Sequence, residues 1–165
     1  LRGDTAGWVA EFPNLVICRT FSKIYGRSGL RVGYALASAA VADLMNRVRQ
    51  PFNVNNLALA GALAALDDDA FLQASFELNQ QGMAQIVAAL NQLGLAFIPS
   101  YGNFVTFNAG DAAAVNQKLL QQGVIVRPIA GYGLPAWLRV TIGTEAENAR
   151  FIEALTVAIS DSSSV

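Results

Sequence analysis

The sequence predicts an α/β chain built in two parts, and three observations carry that expectation. Two short apolar runs, residues 15–18 and 32–37, flank a polar stretch punctuated by glycines, the pattern of strands joined across a strand-end turn. From residue 96 onward, short strand-like runs alternate with helix-length stretches, which predicts a compact α+β domain with a mostly antiparallel sheet and helices on one face. The 165 residues are 53% apolar and 14% charged, enough for one globular core with a small satellite and unlike a disordered chain.

Taken in order, residues 1–14 contain Gly3, Asp4, Gly7 and Pro13 and predict a loop or a short helix over 5–12. Residues 15–18 read as a buried strand that ends at Arg19 and Thr20, and residues 32–37 as a second one. Ser38 is placed to cap a helix over 39–49, which Pro51 stops. After a polar bend at 52–56, residues 57–66 are so rich in Ala and Leu that a helix buried on most sides is expected. Asp67, Asp68 and Asp69 are better caps for the next helix than a metal cluster. That helix is predicted over 70–93, with Gly82 as a weak point inside it and Gly94 as its stop. Strands are expected at 96–99, 103–108, 124–127 and 138–142, helices at 111–122 and 144–159, and a fraying Ser-rich tail at 160–165. The domain boundary falls near Asp67, giving a first part over 1–66 and a small domain over 67–165 entered by the long helix.

Composition removes several function classes. A net charge of −1 with scattered basic residues gives no electrostatic footprint for nucleic acid, and no basic amphipathic face suggests a membrane surface. The chain has no histidine, so His-based triads and His-ligated metal sites are excluded, and no metal is expected. Cys18 is the only cysteine; it reads as a small buried hydrophobe and is compatible with a reducing, cytoplasmic compartment. No signal peptide or membrane-length apolar segment is present.

The chemistry concentrates between the first two strands. Ser22 and Lys23 follow the first strand at its carboxyl end, where open α/β sheets place ligands, and the turn then passes Gly26 and Gly29 before Arg31. Lys23 and Lys118 are the only lysines, and residues 19–34 include no Asp or Glu to pair with Lys23. A lysine amine held beside other cations and partly out of water is more readily neutral, the form that condenses with a carbonyl to a Schiff base. Pyridoxal 5'-phosphate (PLP) fits such a site, because Ser22, the turn amides and Arg31 supply the hydroxyl, N–H and guanidinium donors that a phosphate dianion needs. An isolated Ser-Lys pair is far more often an ordinary surface pair.

A second candidate lies in the later part. Arg139 sits among apolar neighbours within residues 138–144, where an unpaired guanidinium is costly to bury, so it needs an anion. The residues alone leave open whether that anion is an internal carboxylate or a ligand. Arg127, ahead of the Gly131–Pro135 loop, is a weaker candidate for another anionic group.

The spacing of Ser22, Lys23, Gly26, Gly29, Arg31, Gly33 and Tyr34 resembles the PLP-lysine signature of the class I/II aminotransferases, the fold-type I PLP enzymes. The resemblance implies that Lys23 is the cofactor-bound lysine and proton carrier, that Ser22 and Arg31 bind the cofactor phosphate, and that Arg139 forks onto a substrate carboxylate. Residues 123–144 and the turn at 51–55 are most similar to the histidinol-phosphate subgroup. That similarity implies transfer of an amino group between L-histidinol phosphate and 2-oxoglutarate in histidine biosynthesis, with Arg127 and Arg139 on substrate anions, in a homodimer.

Members of the family are roughly twice this length. The resemblance therefore implies a carboxy-terminal fragment, with a remnant of the large PLP-binding sheet and a small C-terminal domain, lacking useful transaminase activity by itself. Threonine-phosphate decarboxylases and aromatic aminotransferases share the same motifs, and a noncatalytic folding or dimerisation module remains a reading from another class.

Overall fold

The structure, a computed structural model, describes residues 5–160. The chain divides into two compact units inside one helix, the first running to Ala74 and the second from Ser75.

In the first unit a 3-10 turn at Thr5–Gly7 leads into a single helical turn, α1 (Trp8–Glu11). Strand β1 (Val16–Thr20) pairs antiparallel with β2 (Gly33–Ala37), with Ile17 opposite Leu36 and Thr20 opposite Gly33. Gly33 is required there: a Cβ would stand 2.7 Å from the Arg19 carbonyl oxygen. Helix α2 (Ala39–Val48) follows; Ser38 does not cap it by side chain but donates its hydroxyl to the Pro13 carbonyl at 2.9 Å. Helix α3 (Asn56–Leu66) is capped by Asn55, whose Oδ1 accepts from the Ala58 N–H at 2.8 Å.

Three burial expectations fail in this unit, for the same reason: the strands expected to be buried are largely exposed, β1 burying only Ile17 and β2 none of its residues. Only Ala58, Ala62 and Ala65 of α3 are buried, while Leu57, Leu59, Leu63 and Leu66 are exposed. Cys18 is exposed too, because period-2 alternation points Ile17 inward and its neighbours outward, and no described residue layers over that side. The alanine face of α3 packs instead on Phe21 and Val32, the residues that bracket the Ser22–Arg31 turn. Burying a side chain such as Phe21 contributes roughly 1.5–3 kcal/mol, so both roots of the turn are fixed by packing.

The long helix α4 (Asp69–Gln92) begins at an aspartate cap, with Asp68 Oδ1 accepting from the Phe71 N–H at 3.0 Å. In the second unit its buried face, including Ile86 and Leu90, packs with α5 (Ala112–Gln121) and α6 (Glu145–Ser160) against one sheet. The strands are β3 (Phe97–Ile98), β4 (Phe104–Asn108), β5 (Arg127–Pro128) and β6 (Trp137–Thr141), in the order β3-β4-β6-β5 and antiparallel throughout. Val105, Phe107, Leu138 and Val140 face the helices, and Phe107 meets Phe151 edge-on at 5.9 Å.

Gly82 is not a weak point of α4 but its closest approach. A Cβ there would lie 2.6 Å from Ile142 Cγ2 and 2.7 Å from Asn148 Nδ2, so only glycine lets the helix sit against the turn that follows β6. Only the later half of the helix contributes to the core: Phe71, Phe76 and Leu78 are exposed, whereas Ile86 and Leu90 are buried. Residues 161–165 of the tail expected to fray lie outside the described residues.

Candidate active site

Lys23 emerges three residues past the end of β1, at the carboxyl end of the strand. The turn that carries it closes on itself. The Gly26 N–H donates to the Lys23 carbonyl at 2.8 Å, the Arg27 N–H to the Phe21 carbonyl at 2.9 Å, and the Phe21 N–H to the Val32 carbonyl at 3.2 Å. Gly26 has φ 65°, the left-handed region a glycine occupies without a Cβ penalty, and the ring of Phe71 lies 3.3 Å from where a Cβ would be.

Arg31 also has positive φ, 53°, and is not a glycine. Such a residue carries strain that the surrounding structure must hold. Its NH1 donates to the Ser28 carbonyl at 2.9 Å and stands 3.5 Å from Ser22 Oγ, which brings the two predicted phosphate ligands together beside Lys23. The Ser22 N–H donates to Thr20 Oγ1 at 3.1 Å. Lys23 and Arg31 are exposed and Ser22 is half-buried, so the cluster opens to solvent on the side of the amine. Among the described residues no carboxylate forms an ion pair with Lys23 or Arg31. Cationic surroundings without an acid, a hydroxyl and a guanidinium are the donor set a phosphate monoester on an aldehyde requires; the residues present fit PLP.

The second cluster lies in the second unit. Arg139 of β6 stands opposite Thr106 of β4 on one side and opposite Arg127 of β5 on the other. Arg139 makes no ion pair among the described residues, its buried Nε has no acceptor, and its guanidinium carbon lies 4.8 Å from the centroid of the Phe104 ring. The internal carboxylate that sequence left open is therefore not found among the described residues. Arg127 is exposed at the edge of the sheet. Two guanidinium groups directly across a ladder repel unless an anion joins them.

Sequence reasoning missed Phe104, Thr106 and Asn148. Asn148 is 2% exposed; its Oδ1 accepts from the Gly143 N–H at 2.9 Å and its Nδ2 donates to the Gly143 carbonyl at 3.1 Å, clamping the turn after β6. The shared parity of Phe104 and Thr106 was legible, but which strand they faced was not. A cavity of about 530 Å³, lined in part by Gly94, Asn108, Asp111 and Ile159, contains none of the predicted site residues. Among the described residues, no helix is long and apolar enough to cross a membrane.

A strand-end lysine turn and a small antiparallel domain presenting paired arginines define a class of protein, and the chain belongs to it: aminotransferase class I and II, whose family model matches residues 2–155. Within that family the chain is 73% identical over 158 residues to histidinol-phosphate aminotransferase 1 of Dechloromonas aromatica, covering 96% of this chain and 44% of that protein. A solved histidinol-phosphate aminotransferase from Sinorhizobium meliloti, in complex with pyridoxal-5'-phosphate, superposes with a TM-score of 0.81 at 30% identity, over 90% of this chain and 42% of that one. L-threonine-O-3-phosphate decarboxylase from Porphyromonas gingivalis is similar at 28% identity and a TM-score of 0.83, over 94% of this chain and 50% of that one. The chain thus spans less than half the length of the curated relative.

Proposed function

We propose that this chain supplies the lysine, the phosphate anchor and the substrate clamp of a PLP-dependent aminotransferase acting on L-histidinol phosphate and 2-oxoglutarate. The observation that carries the reading is Ser22 Oγ 3.5 Å from Arg31 NH1 beside an acid-free Lys23 at a strand end. The 73% identity to a histidinol-phosphate aminotransferase supports the substrate, imidazole acetol phosphate and L-glutamate being the products. When bound, PLP supplies the electron sink that makes the substrate Cα–H acidic.

This chain's residues do the rest. Ser22 and Arg31 would hold the phosphate and so orient the cofactor toward the Lys23 amine. With the cofactor bound, Lys23 Nζ would be the group that binds its aldehyde and would serve as the base that takes the proton from the substrate carbon. Arg139 and Arg127 hold the anionic end of each substrate in turn, phosphate for one and carboxylate for the other, which lets one pocket serve both half-reactions. The expected assembly is a homodimer in the cytoplasm.

Identity to a threonine-phosphate decarboxylase supports a second reading, since that substrate also carries phosphate and carboxylate groups. Substrate profiling separates the two: release of carbon dioxide from a phospho-amino acid favours the decarboxylase, and formation of glutamate from 2-oxoglutarate favours the transaminase.

The direct test is trapping. The chain is incubated with PLP, reduced with borohydride and mapped by peptide mass spectrometry. A reduced adduct at Lys23, absent after Lys23→Ala, is expected, with Lys118 as the internal control. Equal labelling of both lysines, or none at Lys23, overturns the reading.

A further inference from the structure

Arg139 lacks what normally holds a guanidinium in a strand. It forms no ion pair and no side-chain hydrogen bond among the described residues, and its Nε is a buried donor without an acceptor. Its contact is the face of the Phe104 ring, 4.8 Å from the guanidinium carbon to the centroid. The register puts the two side chains within reach of each other. Thr106 stands opposite Arg139 and Phe104 opposite Thr141, so Phe104 and Arg139 are diagonal neighbours on one sheet face. The other face carries Val105, Phe107, Leu138 and Val140 into the core, so a one-residue slip that parted the pair would also turn the core outward.

Stacking and hydrogen bonding use different parts of a guanidinium. A ring against the flat face, where no N–H points, leaves the in-plane donors free, and at Arg139 those on the two terminal nitrogens remain for a ligand because Nε is buried. An internal carboxylate would hold the group as firmly, but by occupying the edge that a ligand needs. We propose that Phe104 is a positioning residue: it fixes the plane of Arg139 so that the donor edge is already aimed when an oxyanion arrives, with Arg127 across the ladder adding the second positive charge. Phe104 acts only through Arg139. The proposal rests on the reading of Arg139 as an anion clamp.

The test uses the full 165-residue chain and inorganic phosphate as the probe. Phosphate affinity is read by isothermal titration calorimetry in every variant, and the ¹⁵N Nε–H signal of Arg139, assigned by its loss in Arg139→Gln, is followed in those that keep the arginine. Phe104→Leu is expected to weaken phosphate binding about threefold to tenfold, the range for loss of a cation–π contact. Phe104→Tyr, which keeps the ring, is expected to retain the parent affinity, and Phe104→Leu is expected to have no further effect on residual phosphate binding in the Arg139→Gln background. Parent-like affinity in Phe104→Leu, or an equal loss in both backgrounds, overturns the positioning role even if the variant is less stable. An unchanged affinity in Arg139→Gln alone is a different failure, because it removes the clamp itself.

Discussion

Ser22 Oγ and Arg31 NH1 stand 3.5 Å apart although nine positions separate them, and Arg31 reaches that point from left-handed backbone at φ 53°. The strain and the proposed phosphate contact sit on one residue, so a single substitution separates them. In Arg31→Gly, relief of the left-handed penalty is worth about 1–2 kcal/mol. The lost exposed bond to the Ser28 carbonyl and the added chain entropy of glycine offset it by a similar amount. Thermal stability is therefore expected to stay within about 1 kcal/mol of the parent, while the PLP concentration that half-labels Lys23 under borohydride rises about tenfold or more. Unchanged labelling would remove Arg31 from the phosphate site.

At Gly82 two effects oppose each other. Helix propensity favours Gly82→Ala by about 1 kcal/mol, whereas the added Cβ would lie 2.6 Å from Ile142 Cγ2 and 2.7 Å from the buried Asn148 amide. Overpacking of this kind costs roughly 1–3 kcal/mol, and neither neighbour is the free end of a flexible chain, so packing wins. A lower urea midpoint is expected. A raised midpoint would mean that α4 does not approach the turn after β6 as described.

Asn148 is irreplaceable by its charged isostere because it both accepts from and donates to Gly143. In Asn148→Asp the carboxylate keeps the first bond but turns an oxygen toward the Gly143 carbonyl, at a cost of about 3 kcal/mol or more at neutral pH. The introduced acid has a raised folded value, so the penalty is absent well below the ordinary aspartate value of about 3.9 and grows as the pH rises through the raised one. Thermal midpoints of parent and variant should converge toward acid; a gap independent of pH contradicts the account.

Thr144 and Glu147 form a reciprocal cap at the start of α6. Glu147 Oε2 accepts from the Thr144 N–H and hydroxyl, both at 2.8 Å, and the Glu147 N–H donates to Thr144 Oγ1 at 3.4 Å. The bond from the Thr144 backbone, then that from its hydroxyl, lowers the Glu147 carboxyl below its usual value. A lowered acid contributes stability above its unfolded value, about 4.3 for glutamate, and loses it as the pH falls through the folded one. Glu147→Gln should therefore melt below the parent at pH 7, with the gap closing as the pH falls through the lowered folded value. A gap that does not narrow toward acid assigns the effect to shape instead of charge.

The residues of the candidate site were legible in the sequence by itself. The Ser22–Lys23–Arg31 spacing and the glycine that closes the lysine turn are local facts, since a turn of this kind is specified by its own residues, whereas the absence of an internal carboxylate at Arg139 among the described residues came only from the structure. The elements followed from periodicity as well, because α4, α5 and α6 each bury one face. What the chain order left undecided was contact between distant strands. Only the antiparallel register put Phe104 beside Arg139 and Arg127 across from it, and only the packing of α4 turned Gly82 from a helix weakness into a fitted surface. Cys18 and the leucines of α3 show the same limit from the other side: hydropathy states what a side chain prefers, and burial depends on whether another layer is there to cover it.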